Sequence, residues 1–249
     1  MFFIFDSFKF SFLASALSLL GVAAPGHAAT LSFFPVGVAV SSPQKNTSIT
    51  IINEGDAPTK LQLRILRWKQ VNGDEVLEPT RDVVISPPVA NIPAKAKYTL
   101  RIARLVPSPV QGEESYRLLI DELPPPIDPT TGNSGIQFLM RASLPAFFVD
   151  PKAKPSVEWK VWRADGKIHV RGTNNGNRTI KLTDFSVEGP GGDTKILALG
   201  TNAYILPGST LTYMSEAGAP DYALGTPVVV KAATGTPDAV KAQLVIASP

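Results

Sequence analysis

From about residue 31 onward, apolar and polar residues alternate with a period of two, and no stretch sustains the spacing of a helix. Successive side chains of a strand point to opposite faces, so the pattern commits the chain to β-sheets with one face buried. In the first half the alternation is clearest at 47–53, 61–68, 83–86, 98–103, 116–123 and 135–149. Turn formers separate these segments: Asn53-Glu54-Gly55-Asp56, Asn72-Gly73-Asp74, Pro87-Pro88 and Pro93-Ala94-Lys95. About seven short strands with turns every 8–12 residues is the pattern of an immunoglobulin-like sandwich.

Asp150-Pro151-Lys152-Ala153-Lys154-Pro155 then supplies a short, stiff, polar linker. Alternation restarts beyond it at Val157, Trp159 and Val161, at Ile168 and Val170, and at Ile180 and Leu182. Leu211 with Tyr213, Val228 with Val230, and Leu244 with Ile246 carry it on. The expected fold is all-β, two immunoglobulin-like sandwiches at 30–150 and 156–249 joined by 151–155. The competing arrangement is one large barrel over the same length.

Residues 1–29 read differently. Asp6 and Lys9 are their only charges, residues 10–24 are largely apolar, and Pro25-Gly26-His27-Ala28-Ala29 follows. A short start, an apolar middle and a small-residue end describe a secretory leader cleaved after Ala28 or Ala29. About 15 apolar residues fall short of the roughly 20 that span a bilayer, so no stable membrane insertion is expected. Asp6 is unusual in such a leader and points to a misplaced start Met.

Chemistry is tightly bounded. The chain has no cysteine, and its two histidines drop to His169 once the leader is removed. Thiol catalysis and zinc sites built from Cys or several His are therefore excluded. His169 alternates with Ile168 and Val170, which turns it outward from a strand rather than into a catalytic pocket. Lys and Arg number 24 against 21 Asp and Glu, a net charge of +3 without a basic block, which argues against a nucleic-acid partner. No glycine loop of the phosphate-cradling type is present, since Gly189-Pro190-Gly191-Gly192 reads as a hairpin turn. The expectation is a non-enzyme without cofactor or metal.

Residues 135–149 stand apart. One parity carries Ile136, Phe138, Met140, Ala142 and Leu144, and Pro145 marks a sheet edge or bulge. A 15-residue apolar edge strand is an aggregation hazard unless covered. Either both its faces are buried within the chain, or the edge is lent to another protein as an added strand.

Ser115-Tyr116-Arg117-Leu118-Leu119-Ile120-Asp121-Glu122-Leu123-Pro124-Pro125 resembles the signature of periplasmic pilus-assembly chaperones of the chaperone–usher pathway. Ser86-Pro87-Pro88-Val89, Tyr98-Thr99-Leu100-Arg101-Ile102 and Gln137-Phe138-Leu139-Met140-Arg141 fall in the family's order. Residues 64–68 and 140–145 are closest to its archaic, or sigma, branch. The resemblance implies two immunoglobulin-like domains in an L and a pilin subunit held by donor-strand complementation. It also implies delivery to an outer-membrane usher. Ile136, Phe138, Met140, Ala142 and Leu144 become the donor residues. A free chaperone could hide this edge by self-capping with its first strand or by dimerisation.

In better-known branches two cations grip the subunit's terminal carboxylate; their positions here fall near Gly37 and at Pro145, and neither can do that work. Arg101, Arg117 and Arg141 are the remaining candidates, Arg101 first among them. The resemblance further implies an interdomain ion pair for Glu122. A secreted structural or adhesive fibre component is the alternative function, although such a subunit should carry an N-terminal donor extension and usually one incomplete domain.

Overall fold

A computed structural model describes residues 31–124, 138–200, 203–234 and 239–249; the leader and Ile136 lie outside these. The described residues form strands without any α-helix, as the alternation requires.

The first core is closed by β1 (Leu31–Phe34), β2 (Val38–Ser41), β3 (Asn46–Asn53), β4 (Thr59–Val71), β5 (Asp74–Pro79), β6 (Val83–Ser86), β7 (Val89–Ile92), β8 (Lys97–Arg104), β9 (Glu113–Glu122) and β10 (Arg141–Val149). They make two sheets, β1-β3-β8-β6 and β2-β10-β9-β4-β5, with β7 also paired to β4. Ile49, Ile51, Leu61, Leu100, Ile102, Tyr116, Leu118, Ile120 and Phe148 fill the space between them. Asn72 and Gly73 both adopt positive φ, 53° and 89°, the mirror-image turn that matches strand twist in a two-residue hairpin.

The segment 31–41 serves both sheets. β1 pairs antiparallel with β3, the chain turns through Pro35 and Gly37, and β2 then runs parallel to β10, with Val38 opposite Ala146. Asn53 is fully buried and donates from Nδ2 to the carbonyls of Ala57, Ile92 and Pro93. That arrangement satisfies main-chain acceptors where β3 ends.

The second core is ringed by β11 (Val157–Ala164), β12 (Lys167–Asn174), β17, β15, β14, β18 and β19. The remaining strands in chain order are β13 (Ile180–Lys181), β14 (Thr183–Glu188), β15 (Thr194–Ala198), β16 (Tyr204–Ile205), β17 (Thr210–Ser215), β18 (Pro227–Ala233) and β19 (Val240–Ala247). The strand alternation places Val161, Ile168, Val170, Phe185, Leu211, Tyr213, Val228, Val230 and Ile246 inside. Having two separate cores removes the single-barrel arrangement. His169 is half-buried on the outer surface, stacked on Trp162 with ring centres 5.2 Å apart.

Candidate functional site

β10 is the strand that the sequence singled out, and it is shorter than expected, beginning at Arg141. Its even-numbered residues face the first core. Ala146 and Phe148 are fully buried, Leu144 is 9% exposed and Ala142 packs against the same cluster. The expectation that Ala142 and Leu144 are offered to a partner is therefore corrected: the sandwich needs both to seal its own interior. Beyond them on the same parity the apolar side chains have no core to enter. Phe138 is 85% exposed, and Met140 is half-buried at the point where the core ends.

β10 is covered unevenly. β9 pairs along its whole length, from Arg141 opposite Asp121 to Val149 opposite Glu113. On the other side β2 covers only Ala146 to Val149. Among the described residues no strand pairs with β10 upstream of Ala146 on that side. The edge is thus half closed and half open.

Gly37 and Pro145 meet at the division between the two halves. A Cβ on Gly37 would stand 2.8 Å from Pro145 Cγ and 3.1 Å from the Pro145 carbonyl oxygen. Only a residue without a side chain lets the chain enter β2 this close to the proline ring.

The three candidate cations are dispersed. Arg101 lies on β8 between buried Leu100 and Ile102, so it projects outward from the four-stranded sheet, the sheet that does not contain β10. Its expected role as first-choice anchor beside β10 is overturned by this geometry. Arg117 sits opposite Pro145 on β9, wedged with its guanidinium carbon 3.7 Å from the Trp68 ring centre and its Nε donating to Glu75 (3.1 Å). Only 10% of its side chain is exposed.

Arg141 has 67% of its side chain exposed at the open half of β10. It shares the Asp121 carboxylate with Arg64, which donates at 2.7 Å. Two guanidiniums facing one carboxylate leave cationic donors in excess.

Burial alone would raise the Asp121 carboxyl, but hydrogen bonds and charge from Arg141 and Arg64 outweigh it and hold the group below its usual range. A depressed folded value contributes stability above the unfolded value near 3.9 that is lost as pH falls through the folded one. The unfolding-temperature difference between the wild type and Asp121→Asn should accordingly persist from pH 7 to about 5, begin to shrink near pH 4 and vanish only once the pH has fallen below the depressed folded value. A difference unchanged at about pH 2 would show that the ion pairs do not stabilise the sheet.

Glu122 is also corrected. Its carboxylate accepts the Met140 N–H (3.1 Å) and its own N–H donates to the Met140 carbonyl (2.9 Å), so it secures the start of β10. The second unit lies at the other end of β9, about 30 Å away at roughly 3.3 Å per residue. Glu113 occupies that end and reaches across: Thr179 donates to it from both N–H (3.3 Å) and Oγ1. Burial raises the Glu113 carboxyl, against the opposing hydrogen bonds from Thr179 and Ser115.

The sequence did not point to the rest of the junction. Gln70 donates to the Tyr204 carbonyl (2.8 Å) and accepts the Leu206 N–H (3.0 Å), as a neighbouring strand would. Trp68 packs against Tyr204 and Phe147 at 5.4 and 6.0 Å. The available signal was the length of β4: Trp68 and Gln70 prolong its outward parity past the last core residue, Ile65.

Residues 32–154 match the family model described as pili and flagellar-assembly chaperone, PapD N-terminal domain. Among solved structures, the chain is 25% identical to the archaic CsuC–CsuE chaperone–tip adhesion subunit pre-assembly complex of Acinetobacter baumannii. That match has a TM-score of 0.62 and covers 88% of this chain and 99% of the other. The E. coli chaperone DraB (20% identity, TM-score 0.56, 88% and 99% covered) shares the fold. So does the Salmonella enterica SafA pilin–SafB chaperone complex (16%, 0.59, 88% and 97%). No curated protein matches the sequence.

Proposed function

The chain belongs to the family of pilus-assembly chaperones, and on that footing we propose that it captures incomplete pilin subunits in the periplasm and delivers them to an outer-membrane usher. The observation that carries this reading is the open half of β10. It offers main chain that no strand pairs among the described residues, together with Phe138 and Met140, whose side chains continue the core's parity beyond the core itself. An incomplete sandwich laid against this edge gains a strand, and the exposed side chains replace the core residues it lacks. Ile136 precedes them on the same parity and joins them as a donor residue.

The relatives support a partner of this kind, since CsuC and SafB are described in complexes with a tip adhesion subunit and a pilin. The archaic branch is favoured by the CsuC likeness. A role as a fibre component is not favoured. We assign no catalysis, take residues 1–29 as a leader cleaved after Ala28 or Ala29, and divide the exported chain at the linker 151–155.

Of the three candidate cations, Arg141 best fits a grip on the subunit's carboxylate. It lies on the lending strand, is exposed, and shares its carboxylate with Arg64. Co-expression with a pilin subunit lacking its N-terminal extension should yield a soluble 1:1 complex, and a subunit equally soluble without the chaperone would refute the reading. In the same assay Arg141→Ala should weaken capture of the intact subunit more than of one shortened at its C-terminus; equal losses would remove Arg141 from that role.

A further inference from the structure

The open stretch of β10 ends at a defined place. Glu122 N–H donates to the Met140 carbonyl (2.9 Å) and Asp150 N–H to the Gly112 carbonyl (2.7 Å), so even-numbered residues of β10 point their main chain at β9. Ser42 N–H donates to the Val149 carbonyl (2.9 Å) on the opposite side, so odd-numbered residues point theirs away. β2 receives them from Ala146 to Val149. Upstream, Arg141 and Ser143 direct both N–H and C=O to the open edge. Pro145, the next in this series, has a carbonyl but no N–H to give. At the same point the backbone of Gly37 already rests against the proline ring and its carbonyl oxygen.

We propose that Pro145, backed by Gly37, is a register stop: a strand added to β10 pairs at Arg141 and Ser143 and is halted at Pro145. The proposal rests on the reading that β10 receives a partner's strand, and it adds where that strand must stop. Register is fixed here by a missing donor and a filled space. It can change only in steps of two residues, because a one-residue slip would turn every side chain of the added strand to its opposite face.

The chain lacks native cysteine, so a single Leu139→Cys reports the register unambiguously by disulfide formation. The probe is a pilin subunit without its N-terminal extension, carrying single cysteines along its pairing strand. In the otherwise wild-type background one subunit position should cross-link. Pro145→Ala restores an N–H and removes the ring, and should move that position by two residues toward β2. Ser143→Pro removes the preceding donor without touching a β9 bond. It should move the position two residues the other way and weaken capture roughly fivefold for each ladder bond lost.

An unchanged cross-link in either folded variant, with capture intact, overturns the stop while leaving the chaperone reading in place. Failure of the wild-type chain to capture the subunit at all overturns the reading on which the stop rests. Thermal unfolding of each variant verifies folding, and Ser143→Pro decides the matter should Pro145→Ala not fold.

Discussion

Replacing Phe138 by Asp is expected to abolish subunit capture, a loss of at least 100-fold, while the chaperone itself unfolds at an unchanged temperature. Phe138 is almost fully exposed and belongs to no core in the free chain, so the free protein gives up nothing with the ring. In the proposed complex the ring would enter an apolar groove of the subunit, where its burial is worth roughly 1.5–3 kcal/mol. A carboxylate carried into the same groove without a partner costs several kcal/mol more. Met140→Asp should behave alike, with a smaller margin because Met140 is already half-buried in the free chain. Leu144→Asp is the informative contrast: it buries a charge in the first core and should prevent folding. Full capture by a folded Phe138→Asp, Met140→Asp double variant would eliminate the donor-strand assignment.

The second large effect lies at the other end of the first sandwich. Arg104 has 2% of its side chain exposed and grips Glu114 with two bonds, Nε to Oε2 and Nη2 to Oε1, each 2.7 Å. The same guanidinium donates from Nη1 to the carbonyls of Val106 and Ser108 (2.8 and 2.7 Å), tying down the loop between β8 and β9. Tyr116 donates its hydroxyl to Glu114, and Arg67 donates to Tyr116 and to Asp82. Glu114→Gln keeps the shape but strands a buried cation, a change that typically costs about 3–5 kcal/mol. At roughly 4 °C per kcal/mol the melting temperature of the first domain should fall by about 10–20 °C. A fall of less than about 3 °C would mean that the pair breaks even against solvent. The paired Arg104→Met, Glu114→Leu variant should recover much of the loss, since it removes both charges together.

The sequence exposed the sheets more readily than the site. Strand parity located the core of β3, β4 and β8, because each of these shows water to one face, whereas β9 is buried on both. Segment 31–41 gave no such warning. Its two strands are four residues each, interrupted by Pro35 and Gly37, and β2 finds its partner in distant β10. A long-range parallel pairing leaves no local trace. The donor segment was legible as apolar, but alternation cannot divide Leu144, which fills the protein's own interior, from Phe138, which does not. For the carboxylates the difficulty was similar. Glu122 and Glu113 bound the same strand, and only the placement of Thr179 decides which one meets the second domain. Arg101 misled because shared polar parity says nothing about which of two sheets a strand has joined.

The pairing of β2 with β10 also governs when the molecule can be finished. Synthesis proceeds from the N-terminal side, so residues 31–41 are available long before the strand that fastens them. Until β10 arrives, the partner-facing sheet lacks both β10 and the short strand that closes its edge, and distant pairings of this kind form slowly. Competence to lend a strand is thus withheld until the last strand of the first domain is in place. A truncated or stalled chain ending before β10 would present an unfinished sheet rather than a weakened chaperone.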